Sequence, residues 1–142
     1  IEAFPISFAQ AEELNYAQQL NTEETSIFLK MHEVNWDEKI KLDDRFSLKK
    51  QLIRFEEIDF KDQFDIIYFD AFAPSAQPEL WSKELMEKMY DALKPNGILT
   101  TYCAKGVVKR TMKSVGFTVE ALPGPPFKRE MTRAIKEIPT IL

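Results

Sequence analysis

FDIIYFDAFAP, residues 64–74, is the stretch that decides the fold. Its first six residues form a nearly continuous apolar run, rich in β-branched and aromatic side chains, and the run ends on Asp70. Such runs are typical of strands that are buried on both faces of a parallel sheet. The segment therefore predicts a buried strand over residues 64–69, which delivers a carboxylate to a constrained loop containing Pro74.

Downstream of this stretch the pattern predicts alternating helices and strands. In chain order we expect a helix over 79–93, a turn over 94–97, a strand over 98–103, a helix over 106–115, a strand over 117–122, a turn over 123–126 and a strand over 131–138. This alternation predicts an α/β fold with an open, mostly parallel sheet. Ligands bind such sheets at the carboxyl ends of the strands, so Asp70 and the loop after it are the candidate site.

The upstream part of the chain has a weaker pattern. Ser7 is a candidate cap for a helix that runs through Leu20, and residues 25–34 predict a second helix. The polar stretch 35–45 predicts a loop, and rough alternation over 46–55 predicts a hairpin or two short strands. Residues 1–4 resemble the end of a strand, which Pro5 closes.

Length and composition narrow the class of protein. A chain of 142 residues, 44% hydrophobic and 30% charged, is typical of one globular domain with an ordinary core. No apolar run reaches the ~18 residues of a membrane span, and no signal peptide is recognisable. The single cysteine, Cys103, excludes an internal disulfide, and we therefore expect a cytoplasmic protein. One cysteine and one histidine cannot form a Cys/His metal site, so no metal is expected.

Charge is distributed unevenly along the chain. Residues 1–93 hold 10 Lys and Arg against 20 Asp and Glu, whereas residues 94–142 hold 9 against 3. A basic C-terminal third on an acidic body suits a polyanion, although chance clustering on solvated helix faces gives the same pattern.

Three motifs that follow one another along the chain carry a family resemblance. DAFAP at 70–74, AKGVVKR at 104–110 and PGPPFKREM at 123–131, together with LKPNGIL at 93–99, resemble the methyltransferase domain of MnmC-like proteins. The resemblance implies a Rossmann-like class I methyltransferase sheet, mostly parallel with an antiparallel C-terminal strand, in a single domain over residues 1–142. It also implies S-adenosyl-L-methionine as the cofactor. The expected reaction is N-methylation of the 5-aminomethyl group of a tRNA wobble uridine, which gives 5-methylaminomethyl(-2-thio)uridine. The expected partners are tRNA and a flavin-dependent oxidoreductase domain or protein, with no membrane.

One departure from the family's pattern concerns the cofactor pocket. The first strand and its glycine-rich turn are absent from this sequence, whose four glycines stand at 97, 106, 116 and 124. We therefore expect the domain to be N-terminally truncated, and to bind cofactor weakly or not at all in this form.

The resemblance implies catalytic roles for three residues of the DAFAP loop. Asp70 would accept a hydrogen bond from the amine and help to remove its proton, and the carbonyl of Ala71 or Phe72 would accept another. The ring of Phe72 would lie against the methyl group or the base, and Pro74 would stiffen the loop. From position alone, a turn-capping role for Asp70 is equally open.

Four carboxylates are predicted to contact the cofactor. The resemblance implies that Glu2 binds the ribose hydroxyls, with a frayed terminal residue as the alternative. Either Glu56 or Glu57 would address the adenine, and neither is preferred. Asp70 is expected among the cofactor contacts as well.

Two basic clusters are predicted to bind RNA phosphates. Lys105, Lys109 and Arg110 stand at the start of a helix, and Lys128 and Arg129 follow the proline-rich turn. If the fold is right, both clusters fall near the same edge of the sheet, where they contribute salt-dependent affinity. A solvated helix face is the alternative for each residue.

Two other functions remain open from the sequence. One is a methyltransferase that acts on a small-molecule amine, which the basic C-terminal third disfavours. The other is a non-catalytic RNA- or protein-binding module with a degenerate methyltransferase fold. The missing glycine-rich turn favours this module, whereas the intact DAFAP loop disfavours it.

Overall fold

The computed structural model describes residues 1–19 and 25–138, and it divides the chain into two compact units, Ile1–Glu57 and Ile58–Leu142. Each unit is described by itself. That residues 1–142 act as a single domain stays a prediction.

The helices of the first unit are α1 (Phe8–Glu13), α2 (Tyr16–Gln19) and α3 (Thr25–Glu33). The predicted cap at Ser7 is confirmed, because its Oγ accepts from the Gln10 amide at 3.2 Å and the Gln10 side chain accepts from the Ser7 amide at 2.8 Å. The first helix is shorter than predicted, since Asn15 adopts a left-handed φ of 56° and separates α1 from α2. Leu20, the predicted end of this helix, lies outside the described residues.

The strands of the first unit form a small antiparallel hairpin of β1 (Lys39–Lys41) and β2 (Ser47–Lys49). The prediction of a loop over 35–45 is wrong, because β1 lies inside it. A carboxylate closes the turn: Oδ1 of Asp43 accepts from the amides of Arg45 at 2.6 Å and Phe46 at 2.8 Å. Instead of the end of a strand, residues 1–4 contain one isolated bridge, from Glu2 to Leu52. A 3₁₀ turn, Phe55–Glu57, ends the unit.

The second unit contains β3 (Phe64–Tyr68), α4 (Lys83–Ala92), β4 (Leu93–Thr101), α5 (Gly106–Ser114), β5 (Thr118–Pro123) and β6 (Glu130–Ile135), with a 3₁₀ turn over Pro78–Trp81. The strands are ordered β3-β4-β6-β5. β3 is parallel to β4, and β6 is antiparallel to both β4 and β5. Three strands therefore share one direction and the last opposes them, which confirms the mostly parallel sheet with an antiparallel C-terminal strand.

The core of the second unit lies between the sheet and its two helices. Ser82 caps α4, because its Oγ accepts from the Leu85 amide at 3.2 Å. Each helix contacts the other, α4 contacts β4, and α5 contacts β5. The most deeply buried large side chains come from these elements: Met86, Leu93, Leu99, Val108 and Met112.

Burial of β3 differs from the prediction. Phe64, Ile66 and Tyr68 alternate along the strand and are 37%, 50% and 79% exposed, so the expectation of a strand buried on both faces is wrong. The strand pairs with β4 along one edge and is the outermost strand of the sheet as described. Only part of its apolar run is therefore buried in the core of this unit.

The predicted turn over 94–97 lies inside β4 as an irregularity. Phe64 is opposite Leu93, whereas Ile66 is already opposite Ile98, so the intervening residues bulge out of the ladder. Asn96 has a left-handed φ of 64°. A Cβ at Gly97 would lie 2.8 Å from the Lys94 carbonyl oxygen, so only glycine fits this bulge without a shift. Within the described residues, no helix has the length and apolar character needed to cross a membrane.

Candidate active site at the carboxyl ends of β3 and β4

The DAFAP loop leaves the sheet at the carboxyl end of β3. The Phe69 amide donates to the Thr100 carbonyl at 2.9 Å, which carries the pairing with β4 one step beyond the strand. Buried and exposed side chains then alternate: Phe69 and Ala71 are 3% and 6% exposed, whereas Asp70 is exposed and Phe72 is 72% exposed. The loop therefore offers a carboxylate and an aromatic ring while its intervening residues anchor it.

Two aromatic side chains hold the backbone of this loop. The Tyr102 hydroxyl donates to the Ala71 carbonyl at 2.9 Å, and Nε1 of Trp81 donates to the Phe72 carbonyl at 2.8 Å. The Trp81 ring packs edge-on against Phe69, with centroids 5.1 Å apart, and against Tyr102 at 6.5 Å. The two carbonyls that the sequence assigned to the amine thus already accept structural hydrogen bonds, and their contact with substrate stays a prediction.

Electrostatics keeps Tyr102 a hydrogen-bond donor. Burial raises the pKa of Tyr102 above its usual value of 10.0, with smaller contributions from the nearby Cys103 and Asp70. The raised pKa widens the pH range over which the hydroxyl is protonated and donates to Ala71.

A turn after Phe72 completes the loop. The Ala73 carbonyl accepts from the amides of Ala76 at 2.8 Å and Gln77 at 3.0 Å, and Pro74 directly follows Ala73. Proline fixes its own φ, a value that suits the second position of such a turn. Pro74 therefore occupies a turn position that proline favours, and its role in stiffening the loop stays a prediction.

The first basic cluster lies at the start of α5. Lys105 occupies the N-cap position without capping the helix through its side chain, and both Lys105 and Arg110 are exposed. Lys109 differs, because its Nζ lies 2.7 Å from Oε1 of Glu130. The hydrogen bond and the charge of Lys109 lower the pKa of Glu130. This ion pair reduces the positive charge that Lys109 presents to solvent, which weakens the argument for it as a phosphate contact.

The second basic cluster lies close to the first and to the DAFAP loop. Lys128 and Arg129, with Ala104 and Glu130, line an open depression of about 440 Å³. Nζ of Lys128 stands 4.8 Å from the centre of the Tyr102 ring, a cation–π distance. Because Tyr102 also holds the DAFAP loop, one side chain joins this cluster to the candidate catalytic residues.

The predicted ribose and adenine contacts all belong to the first unit. Oε1 of Glu2 accepts from the amides of Ala3 at 2.7 Å and Phe4 at 2.8 Å, so this carboxylate is bent back onto its own backbone. Glu57 caps the last 3₁₀ turn of the unit through the Arg54 amide at 2.8 Å. Glu56 is exposed. A carboxylate has acceptor sites to spare after two such bonds, so Glu2 can still accept hydrogen bonds from the hydroxyls of a ribose.

Sequence reasoning missed the loop-holding roles of Trp81 and Tyr102. Buried tryptophan and tyrosine usually find a partner for their polar atoms, and this was the available signal. Residues 25–138 and 1–19 contain no group of three His, Cys, Asp or Glu side chains that could hold a metal.

Comparison with known proteins identifies the family of the chain. Residues 11–137 match the model of a family described as S-adenosyl-L-methionine-dependent methyltransferases. The bifunctional protein MnmC of tRNA 5-methylaminomethyl-2-thiouridine biosynthesis, from Psychrobacter sp. (strain PRwf-1), is 32% identical over 91 residues, which cover 64% of this chain and 12% of that protein. The chain therefore spans about an eighth of the length of this curated relative.

A solved structure also shows the similarity of this chain to MnmC-like proteins. The crystal structure of MNMC2 from Aquifex aeolicus matches with a TM-score of 0.57 and 27% identity, over 70% of this chain and 33% of that one. The resemblance to MnmC-like methyltransferases and the α/β class of the fold are confirmed, with S-adenosyl-L-methionine as the family's cofactor. The chain belongs to this family of S-adenosyl-L-methionine-dependent methyltransferases.

Proposed function

We propose that this chain N-methylates the 5-aminomethyl group of a tRNA wobble uridine, giving 5-methylaminomethyl(-2-thio)uridine. One observation carries the proposal: the DAFAP loop exposes Asp70 and Phe72 at the carboxyl end of β3, while Tyr102 and Trp81 hold its backbone. In open α/β sheets this end of the strands is where ligands bind.

Methyl transfer to an amine requires a hydrogen-bond acceptor beside that amine, and the carboxylate of Asp70 is suited to this role. When bound, S-adenosyl-L-methionine supplies the methyl group. The bond between its sulfur and the methyl carbon breaks as the lone pair of a neutral amine forms the new N–C bond. Asp70 accepts a hydrogen bond from that amine, which aims the lone pair at the methyl carbon, and it takes up the proton that the methylated amine releases. A carboxylate that is exposed at a fixed backbone position is suited to both tasks.

The ring of Phe72 supports the same reaction. It is 72% exposed although its carbonyl is fixed by Trp81, so the ring projects from an anchored backbone. An aromatic face favours the positive charge of a sulfonium methyl group and also stacks on an unpaired base. Pro74 limits the backbone motion that would move this ring.

An RNA substrate is favoured by the basic residues around the loop. Lys105, Arg110 and Arg129 are exposed, and Lys128 lies over Tyr102 beside the loop. Cations placed like this bind phosphates whatever the sequence of the RNA, and their affinity falls with salt. Lys109 contributes less, because it is paired with Glu130.

The names of the two relatives support the choice of nucleotide. The Psychrobacter protein is named MnmC and is described as bifunctional in tRNA 5-methylaminomethyl-2-thiouridine biosynthesis, and the Aquifex protein is named MNMC2. As parts of the same proposal, a flavin-dependent oxidoreductase domain or protein is its partner, and the reaction takes place in the cytoplasm.

The test uses the chain in its natural full-length context. The protein is incubated with methyl-labelled S-adenosyl-L-methionine and tRNA that carries 5-aminomethyluridine at the wobble position, and the label is located in the digested nucleosides. Asp70→Asn should lower the transfer rate by about 10²–10⁴-fold, the usual contribution of a general base. Asp65→Asn is the matched control, because Asp65 is an exposed aspartate of β3, the strand that precedes Asp70, and it pairs with Lys94.

The possible results separate the alternatives. Label in the wobble nucleoside that falls in Asp70→Asn and persists in Asp65→Asn supports both substrate and site. Bound cofactor without label in the tRNA would overturn the substrate and redirect the search to small amines. A protein that binds no cofactor would instead fit the non-catalytic module.

A further inference from the structure

The loop that joins β5 to β6 displays a phenylalanine in an unusual way. Pro123 pairs with Glu130, so residues 124–129 make the reversal, and Phe127 lies near its tip. A Cβ at Gly124 would lie 2.3 Å from the Lys128 carbonyl oxygen, so glycine allows the two sides of the loop to approach. The Phe127 side chain is fully exposed, at 110% of its reference area, and its φ is 70°.

Stability of the fold does not account for this residue. A left-handed φ is strained for a bulky side chain, and glycine or asparagine adopts it more readily. The ring also removes no apolar surface from water, since it is fully exposed. Strained backbone positions are often found at functional sites, so an exposed and strained aromatic residue points to a ligand.

The surroundings of Phe127 indicate which ligand. The next two residues are Lys128 and Arg129, which line the 440 Å³ depression beside Ala104. Lys128 lies 4.8 Å from the Tyr102 ring, and Tyr102 donates to the DAFAP loop. An exposed ring that is followed directly by two cations has the composition of a single-stranded nucleic-acid site, in which bases stack on aromatic rings and cations hold the phosphates.

We infer that Phe127 is a base-stacking residue for an unpaired nucleotide that flanks the methylated one. The ring stacks on that base, Arg129 and Lys128 contact the adjoining phosphates, and Phe72 lies by the reacting nucleotide. The inference rests on the proposed function in taking RNA as the substrate. It adds a specificity contact outside the DAFAP loop, and it requires an unpaired nucleotide beside the target.

The experiment compares Phe127→Leu with Phe127→Trp in the natural full-length protein. The probe is a fluorescent anticodon stem-loop RNA, and anisotropy gives its Kd. Loss of one stacking contact should weaken binding by roughly 5- to 100-fold in Phe127→Leu, whereas Phe127→Trp retains it. Phe46→Leu, which replaces a 45% exposed phenylalanine of the first unit, is the matched control and should leave the Kd unchanged.

Two further readouts separate stacking from charge and from folding. The slope of log Kd against log salt should stay the same in Phe127→Leu and fall by about one in Arg129→Gln. Phe127→Gly relieves the strained φ, so its Tm should not fall, yet it should lose as much affinity as Phe127→Leu. A lower Tm in every Phe127 variant would overturn the inference, because the ring would then serve the fold.

The free nucleoside distinguishes this inference from the proposed function. Methylation of 5-aminomethyluridine nucleoside, which has no flanking base, should be equal in wild type and Phe127→Leu, while KM for the stem-loop rises in the variant. Equal Kd and KM for the stem-loop in the two proteins would overturn the inference and leave the proposed function standing. If Phe127→Leu lost binding to phosphatidylglycerol vesicles but bound RNA as wild type does, the inference would be overturned in favour of a membrane contact. Without methylation by wild type, the anisotropy result still decides whether Phe127 binds RNA.

Discussion

The two units of the chain are stabilised in different ways. In the first, the buried apolar side chains among residues 1–19 and 25–57 are two alanines, Ala11 and Ala17, while Phe4 and Tyr16 are 74% and 50% exposed. In the second, leucine, methionine, tryptophan and phenylalanine side chains from both helices and the sheet are buried together. The first unit therefore draws far less on apolar burial than the second.

Hydrogen bonds show the same contrast. The first unit relies mainly on bonds between neighbours in sequence, such as Ser7 with Gln10 and Asp43 with Phe46. The second uses side chains that reach across the fold: the Tyr102 hydroxyl spans 31 residues to Ala71, and the Thr132 hydroxyl spans 29 to Cys103. Candidate catalytic residues thus stand on a framework of distant side-chain contacts. The side-chain hydrogen bonds of the first unit are mostly local, although the Glu2 amide donates to the Gln51 carbonyl and Nζ of Lys50 donates to the His32 carbonyl.

The largest predicted effect tests burial directly. Leu99→Ala, at a fully buried position of β4, should lower the free energy of unfolding of the second unit by about 2–5 kcal/mol, because it leaves a cavity. Phe28→Ala in α3 removes a half-buried ring that contacts Tyr16 and His32. This substitution should lower the free energy of unfolding of the first unit by about 1 kcal/mol. Urea unfolding of both variants gives the two values. Equal losses would break the comparison between the units.

This contrast explains how much of the fold the sequence could predict. In the second unit the predicted helices and strands are all present, because burial imposes the periodicity that sequence reasoning reads. In the first unit, the helix break at Asn15 and the turn at Asp43 depend on one backbone conformation and one side-chain-to-backbone bond. Such local devices do not alter hydrophobic periodicity, so the helix was predicted too long and β1 was predicted as a loop.

The next prediction compares a distant hydrogen bond with a local one. Thr132 is fully buried and its Oγ1 donates to the Cys103 carbonyl at 2.7 Å. Thr132→Val keeps the shape but leaves that carbonyl without this donor, which should cost about 1–3 kcal/mol of global stability. Ser7→Ala removes the α1 cap and should cost about 1 kcal/mol.

Hydrogen exchange separates these two losses. Thr132→Val should accelerate exchange throughout the second unit, since the whole unit unfolds more often, whereas Ser7→Ala should accelerate it only in α1. Global acceleration in Ser7→Ala would contradict the local character of the first unit. Thr118→Val, at a half-exposed threonine of β5, is the control and should change little.

The sequence predicts a place for the candidate site, which stays a prediction, but it does not predict the side chains that hold the loop there. The apolar run that ends at Asp70 indicated the loop as the candidate site, because ligand sites follow strand ends in such sheets. The partners of the loop carbonyls, Trp81 and Tyr102, come from 9 and 31 residues away, and no local pattern pairs them with Phe72 and Ala71. Long-range hydrogen bonds require the tertiary arrangement, which periodicity does not give.

A smaller effect is expected at the support of the loop. Tyr102→Phe keeps the ring under Lys128 but removes the hydrogen bond to Ala71, whose net contribution is about 0.5–1.5 kcal/mol. If that energy fixes the loop for catalysis, kcat should fall by roughly 3- to 10-fold while the Kd of the cofactor is kept. Tyr68→Phe, at a 79% exposed tyrosine of β3, is the control. A purely structural role for Tyr102 would lower Tm without changing kcat at a permissive temperature.

The smallest effect concerns ion pairs at acid pH. Lys109 joins α5 to β6 through Glu130 and lowers the pKa of that carboxyl. A depressed folded-state pKa means that the pair stabilises the protein above the ordinary carboxyl pKa, and that this contribution is lost as pH falls through the lowered value. Wild type should therefore lose more stability than Glu130→Gln between about pH 5 and pH 3, measured as the urea midpoint. In the first unit, Asp44 pairs with Lys41 three residues away and is 98% exposed, so water screens the pair and Asp44→Asn should change the urea midpoint little. An equal change of the urea midpoint in both variants would mean that the two ion pairs contribute alike. The distance in sequence between the partners would then distinguish the hydrogen bonds of the two units but not their ion pairs.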